Sequence, residues 1–173
     1  KCEPSELPAK RESAVDIVRC AFYAPQISDA IAVLETASQK GYETAACMMA
    51  ASTIDEKTLG ENLRRLCGCG GIDTVYLMDS FGALLPDKFA RLAEKYFAAV
   101  SASGKKFGVH AHNNLQCAFA NELSALSIGA DILDCTIGGL GKGAGNCPTE
   151  LLVGALRGAE RALPVIDVSQ NLV

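Results

Sequence analysis

Apolar runs and mixed amphipathic stretches alternate along this chain, and the alternation predicts five strand–helix units. The apolar runs favour strands at residues 15–22, 42–49, 72–78, 106–112 and 131–137. The stretches between and after them favour helices at residues 25–40, 55–67, 86–101, 115–128 and 148–163, most of them ended by glycine. Because each strand is an apolar run followed by a helix, the pattern predicts an α/β fold with a parallel sheet covered on both faces.

Two architectures fit this order. The predicted strands begin about 30 residues apart, close to the length of one unit in a (β/α)8 barrel of about 250 residues. An open, doubly wound sheet of five strands explains the same spacing. Periodicity alone leaves both architectures open.

Composition restricts the class of protein. With 49% hydrophobic and 21% charged residues, the 173-residue chain can form one domain with a sizeable core. The net charge is −4, and no basic run exceeds a pair, which argues against a nucleic-acid partner. No apolar run approaches the roughly 20 residues of a membrane helix, and the lead-in at residues 1–14 is too polar for a signal peptide. We expect a soluble protein.

The eight cysteines do not form a recognisable disulfide or zinc framework. Cys67 and Cys69 are the only close pair, and they lack the second pair of ligands that a structural zinc site needs. Several others lie inside apolar runs, where a thiol behaves as a small hydrophobic group. The pattern therefore favours free thiols in a reducing, cytoplasmic location.

His110 and His112 are the only histidines in the chain, and they follow an apolar, strand-like run. Side chains two positions apart project from the same face of a strand, so both imidazoles would point the same way. Such a pair can chelate a divalent metal ion. Two hydrogen-bonded structural histidines are an equally good interpretation of the pair by itself.

Other unusual residues fall where predicted strands end, which is where ligands bind in both architectures. Arg19 lies late in the first strand, Asp79 and Ser80 close the third, and a glycine-rich loop at residues 138–146 follows the fifth. Each has a structural alternative: Asp79 or Ser80 could cap the turn before Pro86, and Arg19 could form an ion pair. Their common position at one edge of the sheet favours a functional site.

The glycine-rich loop matches no phosphate-binding motif well. A Walker A loop fails because Gly143 follows Lys142 where serine or threonine is required. The dinucleotide pattern G-x-G-x-x-A fits residues 139–144, with Asp167 about twenty residues on, but the loop is too long for that tight turn. Backbone amides in a flexible glycine loop still suit an anionic ligand.

Three motifs together resemble a known superfamily: DSFGALLP at residues 79–86, HAHNN at 110–114 and GLGKGAGN at 139–146. They are similar to the motifs of the HMGL-like metal-dependent aldolases and lyases, which include 4-hydroxy-2-oxovalerate aldolase, HMG-CoA lyase and the isopropylmalate and homocitrate synthases. Asn114, Lys142 and the position of Cys147 after Asn146 resemble the 4-hydroxy-2-oxovalerate aldolase branch most.

The resemblance implies a (β/α)8 TIM barrel of which residues 1–173 form a single partial catalytic domain, holding about five units, strands 4 to 8. It also implies a divalent metal ion, Mn²⁺ or Mg²⁺. The residues it assigns are the metal ligands His110, His112 and Asn146, the catalytic residues Asp79 and Ser80, and the substrate-binding residues Arg19, Gly82, Gly141 and Gly143.

The implied activity is metal-dependent cleavage of a 4-hydroxy-2-oxo acid to pyruvate and an aldehyde. Alternatives are an acyl-CoA-dependent synthase or HMG-CoA-type lyase of the same superfamily, a Schiff-base aldolase, or a non-catalytic partial barrel that oligomerises. In relatives, a third metal ligand, an aspartate, and a catalytic arginine come from the first barrel strand, and neither has a counterpart here. We therefore expect weak metal binding, a homo-oligomer and, as in some relatives, an aldehyde dehydrogenase partner.

Overall fold

Five parallel strands form one sheet in the computed structural model, which describes residues 6–157. They are Ile17–Phe22 (β1), Glu43–Met48 (β2), Thr74–Asp79 (β3), Lys106–Ala111 (β4) and Ile132–Leu133 (β5). Their spatial order is β1-β2-β3-β4-β5, with every neighbouring pair parallel. A doubly wound sheet reverses its strand order at a switch point, and this sheet does not. The fold is a partial (β/α) barrel, and the open-sheet alternative is wrong.

The connecting helices agree with the predicted alternation. They are Ile27–Gln39 (α1), Glu56–Gly68 (α2), Pro86–Ala102 (α3), Ala118–Ile128 (α4) and Thr149–Arg157 (α5). The predicted last helix runs to residue 163, and its final six residues lie outside the described range. None of the helices in the described part of the chain is both long and apolar enough to cross a membrane.

Two boundaries differ from prediction by three or more residues, for identifiable reasons. The predicted helix at 115–128 begins three residues later, because Gln116 has a left-handed φ of 56° and Asn113 Oδ1 accepts a hydrogen bond from Ala118 N. The predicted strand at 131–137 has only two residues in the sheet. After Leu133 the chain turns away from β4, and Thr136 N donates to the Cys147 carbonyl instead.

The sheet has two unlike faces. On β4, Phe107, Val109 and Ala111 are buried in the main core against the helices. Gly108 and His110 alternate with them and lie on the opposite face, which corresponds to the inside of a barrel. That inner face carries a small apolar cluster of Ala45, Cys47 and Tyr76, packed by Met78 and Ile132. Side chains on the inner face near the strand ends are therefore the ones that build a site.

Candidate functional site

The two histidines converge at the C-terminal end of β4. His110 Nε2 lies 3.4 Å from His112 Nε2, and the ring centroids are 5.1 Å apart. The His110 side chain is 18% exposed, so the pair is sheltered but reachable. The period-two prediction that both rings share one side of the strand agrees with this geometry.

Asp134, just after β5, fixes the orientation of His110. Its Oδ2 atom lies 3.1 Å from His110 Nδ1. Burial by itself would raise the pKa of Asp134, but hydrogen bonds from His110 and Arg19 outweigh it and hold that pKa below its usual value. An ionised carboxylate only accepts, so His110 Nδ1 carries the proton. In a neutral imidazole the lone pair of His110 Nε2 then faces His112.

Arg19 reaches across the inner face from β1 to the same carboxylate. Its Nη1 and Nη2 atoms lie 3.1 and 2.5 Å from the two oxygens of Asp134. The guanidinium carbon stands 4.2 Å from the centre of the Tyr76 ring. Burial lowers the pKa of Arg19, and the hydrogen bond and charge of Asp134 more than reverse the effect. The structural alternative considered for Arg19, an ion pair, is present.

Tyr76 has room for its ring because its neighbour on β4 is a glycine. A Cβ atom added to Gly108 would lie 2.6 Å from the Tyr76 ring. Burial, followed by the charge of Asp134, raises the pKa of the Tyr76 phenol. Arg19, Tyr76, Asp134 and His110 thus form one continuous network of contacts on the inner face.

Asp79 and Ser80 make contacts typical of turn residues. The fully buried Asp79 carboxyl accepts hydrogen bonds from Ala83 N and Leu84 N, each at 3.2 Å, while burial raises its pKa. Ser80 Oγ accepts from Ala50 N at 2.9 Å, and Ala50 has a left-handed φ of 56°. Their assignment as catalytic residues stays a prediction, and these bonds show what each already holds in place.

Gly82 and Gly143 let two loops approach the segment after β4. A Cβ atom on Gly82 would lie 2.6 Å from both Asn114 N and the His112 carbonyl oxygen. One on Gly143 would lie 3.2 Å from Asn114 Nδ2. Both glycines have positive φ angles. They therefore shape the walls around the histidines, and direct substrate contact by either one stays a prediction.

Asn146 closes the glycine-rich loop beside the histidines. Its backbone forms an isolated bridge with His112, and Asn113 N donates to the Gly145 carbonyl at 2.8 Å. The Asn146 side chain donates from Nδ2 to the Leu140 carbonyl at 3.1 Å. Its buried Oδ1 has no hydrogen-bond partner among residues 6–157. A Cβ atom on Gly141 would lie 2.5 Å from Asn146 Nδ2, so the absence of a side chain at this position leaves room for the amide.

These donors fit a divalent ion in part. Within the described residues no group of three His, Cys, Asp or Glu side chains is arranged to hold a metal. At the Zn–N distance of about 2.0–2.1 Å, two nitrogens bound to one ion would lie about 2.8–3.4 Å apart for bond angles of about 90–109°. The observed 3.4 Å between the imidazole nitrogens is at the upper end of that range. The unsatisfied Asn146 Oδ1 is an oxygen donor of the kind that Mg²⁺ and Mn²⁺ accept.

Sequence reasoning missed three residues of this region: Tyr76, Glu122 and Asp134. Asp134 and Tyr76 each interrupt an apolar run with a polar group, which is the one indication that the sequence offers. Glu122 lies in a helix and is fully buried, where its Oε1 accepts a hydrogen bond from Ala111 N at 3.1 Å. Its role depends on a contact that no local pattern reveals.

Comparison with known proteins identifies the family. The HMGL-like family model matches residues 21–172. A 4-hydroxy-2-oxovalerate aldolase of Thermus thermophilus is 38% identical over 152 residues, covering 87% of this chain and 43% of the relative. An oxaloacetate decarboxylase of Mycobacterium tuberculosis is 36% identical over 143 residues, covering 83% and 41%. This chain thus spans less than half the length of either curated relative.

Solved structures agree on the fold. The HMG-CoA lyase of Bacillus subtilis superposes with a TM-score of 0.73 at 21% identity, covering 87% of this chain and 60% of the lyase. At that identity the likeness shows the architecture only. The matched model spans nearly the whole sequence, and the strand order is that of a barrel. The chain belongs to the HMGL-like family.

Proposed function

We propose that this chain forms the metal- and substrate-binding part of a divalent-metal-dependent carbon–carbon lyase that cleaves a 4-hydroxy-2-oxo acid to pyruvate and an aldehyde. The observation that carries the proposal is the facing pair of imidazole nitrogens, 3.4 Å apart, with His110 oriented by Asp134. Mn²⁺ or Mg²⁺ bound there would act as a Lewis acid toward the oxygens of the 2-oxo acid. His110, His112 and Asn146 are the proposed ligands.

The other residues have roles that follow from their contacts. Asp134 keeps the proton of His110 on Nδ1 and leaves Nε2 free to bind. Two of the five N–H donors of Arg19 form hydrogen bonds with Asp134, and the Arg19 side chain is 41% exposed on the inner face. We assign its remaining donors to the carboxylate of the substrate. Gly82, Gly141 and Gly143 would bring backbone close to that ligand.

Oxaloacetate decarboxylation is the second candidate. The relative from Mycobacterium tuberculosis is nearly as similar to this chain as the aldolase is. Both reactions break a bond to carbon 3 of a 2-oxo acid and leave pyruvate, so one binding site for the 2-oxo acid serves either. What differs is the leaving group, carbon dioxide or an aldehyde, and comparison of the two substrates distinguishes them.

The Schiff-base alternative receives no support from the lysines near the sheet. Lys142 is exposed in the glycine-rich loop. Lys105 donates to the Cys69 and Ile72 carbonyls, at the opposite end of the strands. A Schiff-base lysine needs a dry pocket that lowers its pKa. Borohydride trapping with pyruvate tests this directly, and a stable adduct would defeat the metal proposal.

The deciding experiment measures metal binding by the chain itself. Mn²⁺ is titrated into the wild type, His110→Ala and His112→Ala, and free Mn²⁺ is followed by electron paramagnetic resonance. Lys142→Met serves as an exposed control. We expect binding in the wild type and the control and its loss in both histidine variants. Equal affinity in all four proteins would refute the proposed site.

Turnover is measured separately, as pyruvate released from 4-hydroxy-2-oxovalerate or from oxaloacetate and detected with lactate dehydrogenase. The resemblance places a third ligand and an arginine on a strand that is not among these five. Metal affinity is therefore the sharper readout for this chain. Release of pyruvate from oxaloacetate alone would favour the decarboxylase.

Three further proposals concern the oligomeric state of the protein, its location and a partner protein. Association with a second copy is supported by the edge strand β1, where Ile17 is 45% exposed, and by the neighbouring Val15 at 53%. Sedimentation tests it, and a monomer that melts cooperatively would contradict it. A cytoplasmic location rests on the free cysteines. An aldehyde dehydrogenase partner rests on family resemblance, and co-purification would test it.

A further inference from the structure

One backbone amide at the site has lost its partner in the sheet. Residues of a parallel strand turn their backbone groups alternately toward the two neighbouring strands. On β4 the Val109 carbonyl accepts from Asp134 N, on the β5 side, at 2.9 Å. His112 N, beyond the strand end, donates to the Asp79 carbonyl on the β3 side. By this alternation Ala111, which lies between the two histidines, directs its N–H toward β5.

β5 is no longer there to accept that hydrogen bond. It ends at Leu133, and the chain beyond it pairs with the end of the glycine-rich loop. Thr136 N donates to the Cys147 carbonyl at 3.0 Å, and Thr149 N donates back to the Thr136 carbonyl at 2.9 Å. An unpaired buried amide is costly, so a side chain has to replace the missing carbonyl.

Glu122, in α4, provides that replacement. Its Oε1 accepts the Ala111 N–H at 3.1 Å, and the residue is fully buried. Its second oxygen, Oε2, has no hydrogen-bond partner within residues 6–157. The ionisable groups that interact electrostatically with Glu122 are Asp134 and Cys147. No cation among the described groups balances it, and burial raises its pKa well above the usual value, which favours the uncharged form.

We propose that Glu122 is a positioning residue: its Oε1 atom holds the Ala111 amide and thereby sets the distance between the imidazoles of His110 and His112. The role of the two histidines as metal ligands rests on the proposed function, whereas the distance between their imidazoles does not. A comparable hydrogen bond from a β4 amide to a carboxylate occurs at the other end of the same edge of the strand. There Asp131 Oδ2 accepts the Phe107 N–H at 2.8 Å, far from the histidines.

The test compares Glu122→Gln, Glu122→Ala and the control Asp131→Ala in the 173-residue chain. Because the chain has only two histidines, their imidazole signals are resolved in proton–carbon NMR spectra. Glutamine keeps an oxygen that accepts from Ala111, and alanine does not. We expect both histidine signals to shift in Glu122→Ala and to stay in place in Glu122→Gln and Asp131→Ala. Mn²⁺ affinity should fall about 10-fold or more in Glu122→Ala alone.

Unmoved histidine signals in a folded Glu122→Ala protein would overturn the proposal, as would equal shifts in Asp131→Ala. If Glu122→Ala does not fold, Glu122→Met takes its place, because methionine keeps most of the side-chain volume and removes the oxygen that accepts from Ala111. Unmoved histidine signals in Glu122→Met would refute the role. Absence of Mn²⁺ binding in every variant would count against the proposed function and leave the NMR result to judge Glu122.

Discussion

Replacing Asp134 by asparagine should destabilise the fold and disorient His110 together. The carboxylate accepts from both nitrogens of Arg19 and lies 3.1 Å from His110 Nδ1. Asparagine keeps one oxygen and introduces two N–H donors. It therefore cannot satisfy Arg19 and His110 at once, and Arg19 loses the charge that balances it.

The size of the expected loss in stability follows from the solvent exposure of Asp134 and Arg19. Removing one partner of a buried ion pair costs about 3–5 kcal/mol. Here Asp134 is 18% exposed but Arg19 is 41% exposed, so water screens the pair and can replace part of it. With one oxygen retained, we expect a loss of about 1–2 kcal/mol in the free energy of unfolding. For a chain of this size that corresponds to a melting temperature lower by about 2–8 °C.

The pH dependence separates the charge from the shape of the side chain. The folded-state pKa of Asp134 is lowered, so its ionised form stabilises the fold above the unfolded pKa of about 3.9. That stabilisation is lost as pH falls through the folded-state pKa. The gap between wild type and Asp134→Asn, measured by urea unfolding, should be full at pH 7 and should close below about pH 4.

Glu43→Gln is the matched control, since it also turns a carboxylate of a sheet ion pair into an amide. Glu43 pairs with Lys106 at 2.8 Å, and both side chains are more than a third exposed. We expect a smaller loss in the free energy of unfolding than in Asp134→Asn, because water screens this exposed pair. If Asp134→Asn costs no more than this control, or if its gap is the same at pH 3 as at pH 7, the reasoning about Asp134 is wrong.

Three further outcomes are expected. Gly141→Ala should displace the Asn146 amide, because the added Cβ would lie 2.5 Å from its Nδ2, and should thereby weaken Mn²⁺ binding in a titration. The control Gly60→Ala, where the added Cβ meets nothing within 4 Å, should leave Mn²⁺ binding unchanged. Ser80→Ala should lower the free energy of unfolding by about 0.5–1.5 kcal/mol, through loss of a hydrogen bond, in urea titrations; lost turnover at unchanged stability would instead support its catalytic assignment. Because the pKa of Glu122 is raised, the wild type and Glu122→Gln should be equally stable at pH 4. As pH rises toward the folded-state pKa of Glu122, the wild type should become less stable than Glu122→Gln, by about 1.4 kcal/mol for each pH unit. Urea unfolding at a series of pH values measures this difference.

The sheet was predictable from sequence because its strands are mainly apolar runs and most of the helices between them have a recognisable end. The length of β5 was not, because it depends on a competition between two pairing partners. Leu133 still pairs with β4, whereas Thr136 pairs with a backbone segment that lies beyond the whole glycine-rich loop. No local pattern reveals which partner wins.

Candidate residues were predictable to different degrees for a similar reason. The convergence of His110 and His112 follows from a period of two residues, which is local. The network that orients His110 joins Arg19 to Asp134 across 115 positions, and only the closing of the sheet brings them together. Arg19 could be recognised as a polar residue at the correct edge, whereas its partner could not be identified.

Asp134 and Glu122 flank the same two-histidine segment, and their surroundings drive their pKa values in opposite directions. Asp134 pairs with Arg19 and its pKa is lowered despite burial, whereas burial raises the pKa of Glu122 and favours its uncharged form. The proposed ligands His110, His112 and Asn146 bring no negative charge of their own. The buried carboxyl of Asp79, which interacts with His112, likewise has its pKa raised by burial. These surroundings favour little net charge, so a divalent ion held there would keep most of its positive charge for an anionic ligand. This charge balance supports the carboxylate-bearing substrate proposed above, for a reason independent of sequence similarity.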